Sequence, residues 1–389
     1  MSSSTIQKVL ATHSYTPLNT YTARVLQQLE QCRTPACGYH VYDCDNADCS
    51  TPRQYRYNSC RNRHCPGCGG LQKQEWIEKR MSELLPVPYF HVVFTLPHQL
   101  NGLVMGNRAA LFHLLQDSSW YALHTFGKDP KHLGATLGVI GILHTWGQQL
   151  SFHPHVHCIV SGGGINGDQE WKTAKKIKNN FLFHTGAMMQ VYRGRFLQQL
   201  QQLKASKQIQ WLDDDATWKA LLKEMAAIDW VVYAKPPFGG PAQVIEYLGR
   251  YTHKVAISNN RIKSISAEGK VLFSYKDYAD GNKQKEMELP APEFIRRFEQ
   301  HILPKGFTKI RHYGYLSNRD RSKRIAAILQ QLKLPPPKPV ISYDYATGML
   351  VRYGVNVHQC KYCTVGKLSL VMTIPRASTK DKPVPVQKE

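Results

Sequence analysis

The sequence predicts an α+β chain that begins with a zinc-binding module. Three observations carry this. Seven of the ten cysteines fall between Cys32 and Cys68. Short β-rich runs, such as 89–96 and 152–160, recur downstream. Segments with helical periodicity, 71–85, 100–127 and 242–254, separate them. The 389 residues suggest two or three domains. An apolar fraction of 42% supports real cores and excludes a disordered or collagen-like chain. The weakly polar run Leu133 to Leu143 holds three glycines and is too short to cross a bilayer, which needs about 20 residues. The N-terminal residues have no apolar stretch of the signal-peptide kind, so a cytoplasmic chain without membrane contact is expected. Fifty Lys and Arg against 28 Asp and Glu leave a net charge of +22, which points to a polyanionic partner.

Residues 1–30 read as a helix leading into the module at about 31–70. Clustered cysteines without an export signal suit metal binding better than disulfides. Cys44-x4-Cys49 and Cys65-x2-Cys68 are spaced as two knuckles of one tetrahedral zinc set. Cys60 and His64 lie beside the second pair, and Cys32, Cys37 and His40 precede the first. These nine candidates suffice for one or two structural Zn²⁺ ions. Cys360-x2-Cys363, with His358 nearby, is half a site. It could close on the N-terminal cysteines, bind its own zinc or stay idle. Cys158 lies in an apolar strand and reads as packed. Arg53, Arg56, Arg61 and Arg63 run through the module with Tyr55 and Tyr57 interleaved, a pattern that can hold phosphates and stack bases.

A helix over 71–85 ends at Pro86 and Pro88, and the β-rich run from Tyr89 to Leu96 follows. Residues 100–127 are helical, 140–150 are mixed, and Phe152 to Val160 form a strand. A short strand over 230–233, a helix over 242–254, strands over 261–266 and 271–276 and a helix over 292–302 follow. Two further basic zones, 165–210 and 305–338, place Lys175, Lys176, Arg321, Lys323 and Arg324 on a DNA-binding track. Pro335 starts a linker, and the last dozen residues read as disordered.

Two clusters carry chemistry. Side chains at i and i+2 of a strand share a face, so His155 and His157 project together as half of a metal site. On a helix, i, i+4 and i+7 share a face, so Tyr247, Tyr251 and Lys254 line one stripe. A neutral phenol is a poor nucleophile. A metal that polarises a phosphate, and a lysine that offsets developing charge, would supply what it lacks.

In this order the motifs resemble those of the HUH endonucleases, named for their His–hydrophobic–His strand. Phe94-Thr95-Leu96-Pro97 resembles the first motif of rolling-circle initiators, His155-Val156-His157 the metal motif, and Tyr247-x3-Tyr251-x2-Lys254 the two-tyrosine motif. The run from Asn58 to Cys68, with Leu303-Pro304-Lys305-Gly306-Phe307 and Arg311-His312-Tyr313-Gly314, is similar to the IS91-type rolling-circle transposases over about residues 20–365. Cys37 is a departure, standing where an apolar residue is expected. The resemblance implies a core with a central antiparallel sheet and helical insertions, and Mg²⁺ or Mn²⁺ as the working cation. It also implies attack by a tyrosine on single-stranded or hairpin DNA at transposon ends and on target DNA. The products are a 5′-phosphotyrosine link and a free 3′-OH. Tyr251, nearest Lys254, is expected to act first. Candidates for a third metal ligand are His91, Gln148, His153 and Gln243.

The expected organisation is a zinc-binding DNA-contact module over 1–85, a nuclease core over 86–265, a basic region over 266–340, and a CxxC segment with a tail over 341–389. The oligomeric state is open, and a monomer is compatible. A zinc-dependent hydrolase and a non-catalytic zinc-finger DNA-binding regulator are the alternatives. The absence of Asp or Glu between Asp129 and Asp168 weighs against the hydrolase.

Overall fold

The computed structural model describes residues 5–174, 182–235, 238, 243, 244, 247, 249, 255–278, 280–336 and 339–376. Its strands are β1 (Tyr39–Cys44), β2 (Arg53–Tyr57), β3 (Tyr89–Thr95), β4 (Thr136–Trp146), β5 (Phe152–Ile165), β6 (Trp171–Thr173), β7 (Val232–Lys235), β8 (Ile262–Ile265), β9 (Lys270–Asp277), β10 (Lys283–Pro290), β11 (Ile310–Gly314) and β12 (Leu368–Ile374). They form three sheets, ordered β12-β1-β2, β10-β9-β8 and β11-β4-β5-β3-β7, with β6 added to β5. Each recorded pairing is antiparallel.

The six-stranded sheet is the core of the chain. β3 reads Tyr-Phe-His-Val-Val-Phe-Thr and is buried on both faces, as a near-continuous apolar run requires of a central strand. One face carries Phe94, Val139, Val156, Cys158 and Val160. It packs on two 21-residue helices, Arg108–Lys128 and Thr185–Ala205, through Leu111, Leu115, Tyr192 and Phe196. The other face carries Tyr89, Ile140, Ile142 and Ile159 against Val244, Tyr315 and Ile325. The stretch read as mixed, 140–150, lies in β4 as far as Trp146, and β4 pairs with both β5 and β11. Its glycines hide the strand signal but serve a purpose. At Gly138 a Cβ would lie 2.4 Å from the Tyr315 ring.

The N-terminal residues form two helices, Ile6–Thr12 and Thr20–Glu30, the second closed by an Asn19/Thr22 capping box. Ile6, Val9, Leu26 and Leu29 pack on Val271, Phe273, Phe294 and Phe298 of the small β8–β10 sheet and its flanking helix Ala291–Glu299. The start of the chain is thereby bound to its distant 256–302 region.

The zinc module is closed by the C-terminal segment. β12 pairs with β1 along its length, Tyr39 opposite Ile374 and Cys44 opposite Leu368. Gly38 (φ 76°) lets this approach happen, because a Cβ there would sit 2.6 Å from the Ile374 carbonyl oxygen. Arg352, on the helix Tyr345–Tyr353, makes a two-pronged ion pair with Glu78 at 2.8 Å on the helix Gly70–Met81. Two of these contributions, β10 and β12, have no counterpart among the sequence expectations. Residues 377–389, read as a disordered tail, lie outside the described residues. No helix among the described residues is long and apolar enough to cross a membrane.

Candidate metal centres and nucleophile site

The pairing of β4, β5 and β3 sets the central site. His144 lies directly opposite His155, and His157 lies opposite Ile142 and Val93. The same-face rule therefore brings His144, His155 and His157 together, with candidate ligand nitrogens within 4.8 Å of one another. His144 and His157 are buried, at 3% and 8% exposure. His155 Nδ1 lies 2.6 Å from its own strand's His153 carbonyl, to which it donates. Its Nε2 is left facing the centre, 3.1 Å from His157 Nε2. Two adjacent ligands at about 2.1 Å from one ion are separated by about 3 Å, so this edge fits a divalent cation. Burial holds the His155 imidazole down to about 4, which keeps it neutral and able to ligate.

His144 is the third member of the triad, in place of the sequence candidates. His91 sits behind it, with its Nε2 2.9 Å from His157 Nδ1. His153 supplies a carbonyl to His155, and Gln148 bonds to the Tyr278 hydroxyl at 3.1 Å. Gln243 is exposed on the helical stretch that carries Tyr247. His144 continues the phase of Ile140 and Ile142 along β4, so alternation could have placed it on this face. Only the register shows what it meets.

Tyr247 meets the triad on the side of His91. Its hydroxyl is 2.6 Å from His91 Nε2 and 3.2 Å from His157 Nδ1. Gln243, Val244, Tyr247 and Gly249, the described residues of 241–254, are helical. Tyr251 and Lys254 lie outside the described residues.

The cysteines form two clusters, and their pairing differs from the expected single set. Cys65 and Cys68 join Cys32 and Cys60, whereas Cys44 and Cys49 join Cys360 and Cys363. Sγ–Sγ separations are 3.2 and 3.6 Å in the first cluster and 3.7 Å twice in the second. A tetrahedral zinc with bonds of about 2.3 Å has edges of about 3.8 Å, so both sets fit the ion. Donors also aim at the sulfurs. Cys60 N–H points to Cys32 Sγ and Gly366 N–H to Cys363 Sγ, and Gln54 Nε2 lies 2.9 Å from Cys360 Sγ. Such bonds favour the thiolate. No disulfide is present among the ten cysteines.

Three expected ligands fall outside both clusters. The Cys37 thiol donates to the Gln31 carbonyl at 3.1 Å. His40 lies on β1 with its Nδ1 3.0 Å from Thr373 Oγ1. His64 is buried beside Arg63, and burial with that charge holds it at about 3.

The basic residues divide by what they already hold. Arg53 grips Asp43 at 2.8 and 2.9 Å. Arg56 donates to the Val357 carbonyl and stacks over Tyr42. Arg321 pairs with Glu83 at 3.0 Å, and Arg324 donates to the Ser317 carbonyl. Arg61 and Lys323 are exposed. Tyr55 and Tyr57 are exposed and share one face of the zinc sheet with Tyr39, whose ring lies 5.9 and 5.5 Å from theirs. Lys175 and Lys176 lie outside the described residues.

Two family descriptions match the chain. "Transposase zinc-binding domain" covers residues 3–96, and "Putative transposase" covers residues 138–324. The chain is similar to a protein of Sinorhizobium fredii named "Putative transposase y4qJ", with 40% identity over 91% of this chain and 90% of that one. It is also similar to the "Transposase for insertion sequence element IS801" of Pseudomonas savastanoi pv. phaseolicola, with 31% identity over 85% and 79% of the two chains. No solved structure matches at a significant level. The zinc-binding region with its two four-cysteine clusters and the histidine triad lie within the two matched regions and the C-terminal segment that closes on them, and the likeness to both relatives runs along most of the chain: it belongs to the IS91-family transposases.

Proposed function

We propose that the chain nicks single-stranded transposon-end DNA through a tyrosine hydroxyl and rejoins strands in rolling-circle transposition. The observation that carries this is the Tyr247 hydroxyl, set against His91 and His157 at the edge of the triad. The phenol oxygen attacks phosphorus, the bond from phosphorus to the 3′ oxygen breaks, and the 3′ oxygen leaves with a proton as a free hydroxyl. One phosphodiester is exchanged for another, so no ATP is needed. Attack by the 3′-OH of a new strand reverses the exchange and restores the phenol. Tyr251 gives a second nucleophile, which permits a second cleavage before the first strand is released, and Lys254 offsets charge on the phosphate. His144, His155 and His157 would hold the divalent cation, Mg²⁺ or Mn²⁺, which supplies Lewis-acid polarisation of the phosphate. His91 Nε2 keeps the Nδ1 proton of His157 engaged, and the Tyr247 hydroxyl lies against both rings. The two cysteine clusters hold structural zinc and brace the module that presents Arg61, Tyr55 and Tyr57 to DNA.

The test is a denaturing gel after incubation with single-stranded DNA from the ends of the encoding element and Mn²⁺. A protein–DNA adduct is expected from the wild type and none from the Tyr247→Phe/Tyr251→Phe double variant. Cleavage without an adduct would instead assign a hydrolase, and binding without cleavage a regulator.

A further inference from the structure

A cavity of about 160 Å³ lies where the second zinc knuckle meets the core. Arg63, His64, His301 and Lys309 are among its lining residues, which among the described residues include no aspartate or glutamate. Phe298 and Ile302 give it apolar walls. Arg63 is fixed at the cavity by donating to the Phe307 and Pro304 carbonyls at 2.5 and 3.1 Å. Trp146 connects the cavity to the triad. Its indole is stacked on His144 with ring centroids 4.6 Å apart and 17° between planes, and Lys309 Nζ lies 5.1 Å from the centroid of the same indole. Three separate stretches of chain thus bring Arg63, Lys309 and an aromatic surface together beside the metal ligands, and because burial holds the Lys309 ammonium down to about 7, a bound phosphate would keep it charged.

We propose that this cavity admits the base of one nucleotide of the bound DNA strand next to the scissile phosphodiester, the base against Trp146 and the flanking phosphate toward Lys309 and Arg63. The proposal rests on the nuclease reading above. Aromatic surfaces paired with a cationic groove are how single strands are held without base pairing, because every base has a π-face and every nucleotide a phosphate. The volume is of the order that takes one aromatic ring, about 150 Å³, so it admits a single base and not the whole nucleotide. A strand held here has its neighbouring phosphate at the triad, because the indole that contacts the base also packs on His144. Single-strandedness is required: a paired base cannot turn into a cavity of this size.

The test uses the zinc-loaded full chain without added Mg²⁺ or Mn²⁺ and a single-stranded 20-mer carrying one 5-iododeoxyuridine. Irradiation followed by peptide mass spectrometry is expected to place a crosslink on Trp146. In anisotropy titrations with a labelled dT 20-mer, Lys309→Met should weaken binding roughly 3- to 10-fold. It should also lower the salt slope by about 0.7, the value of one phosphate contact on a single strand. Lys309→Arg should keep both, and an unchanged melting temperature for Lys309→Met would show that the loss is not one of folding. Wild-type affinity and slope in Lys309→Met, or crosslinks that miss Trp146, would overturn the seat. So would inorganic phosphate protecting Lys309 from amine modification while the oligonucleotide does not. The adduct assay separates this failure from that of the nuclease reading. An adduct without a Trp146 crosslink removes the seat alone, and a crosslink without any adduct removes the nuclease alone.

Discussion

His157 has two ring nitrogens, and its Nε2 is the one that meets His155, at 3.1 Å. The other, Nδ1, is held 2.9 Å from His91 Nε2. A ligating imidazole whose second nitrogen is engaged keeps one tautomer and one ring orientation, and losing such a partner typically costs 10- to 100-fold in metal affinity. His91→Phe should therefore lower Mn²⁺ affinity by about that factor, and His144→Ala, which removes a ligand, by more. Isothermal titration of the zinc-loaded protein measures both, and an unchanged constant in His91→Phe would end the orienting role. At this scale His155 and His157 are legible because a two-residue period puts them on one face. His144 is not, because it reaches the site through cross-strand register with β5, which a single sequence does not state, and His91, named as a candidate third ligand, instead stands behind His157.

Among the elements, β12 contributes the least expected contact. Its partner β1 lies more than 300 residues away, as does each cysteine it brings. Cys363 meets Cys44 across 319 positions and Cys360 meets Cys49 across 311. Knuckle spacing shows that cysteine pairs exist but cannot say which pairs share an ion, and two neighbouring N-terminal pairs read as one set for that reason. β4 is hard to read for a different cause, since its glycines lower strand propensity while making room for Tyr315. β3 and β5 are plain from their Val, Ile and Phe content. The cysteine pairing makes a stoichiometric prediction. Wild-type protein should carry two zinc ions by native mass spectrometry, and Cys360→Ser/Cys363→Ser should carry one. The same variant should expose the 339–376 segment to protease, because the segment then loses its metal anchor and is held by its ladder, the hydrogen bonds with His40, Arg56 and Asp45, and the Arg352–Glu78 pair. Two ions retained in the variant would show that the second cluster is not a zinc site.

The whole molecule carries a +22 surplus and also buries several neutral imidazoles, and the two facts pull on stability in the same direction. Burial holds His301 at about 4, with the Arg108 charge adding to the effect, and His312 at about 3, beside Arg80 and Arg321. His301 is 3% exposed and is tied to Thr145 Oγ1 and the Leu150 carbonyl at 3.2 Å each, so its ring is largely withdrawn from bulk solvent in the cavity wall. In the unfolded chain an imidazole takes up its proton near 6.5. Between that value and about 4 the unfolded state binds more protons than the folded one, so stability falls as pH falls through this window and is unaffected by His301 well above it. The loss from His301 between pH 7 and 5 is roughly 2 kcal/mol, from a shift of about 2.5 units at about 1.36 kcal/mol each, partly realised at pH 5. Urea unfolding at the two pH values should show the wild-type midpoint dropping on acidification. His301→Gln, which keeps a polar partner for Thr145 and cannot titrate, should drop by visibly less. Acid also protonates zinc thiolates, but that contribution is common to both proteins, so the difference between their two slopes isolates the histidine. Equal slopes would mean that His301 is protonated in the folded chain as readily as in the unfolded one, against its burial.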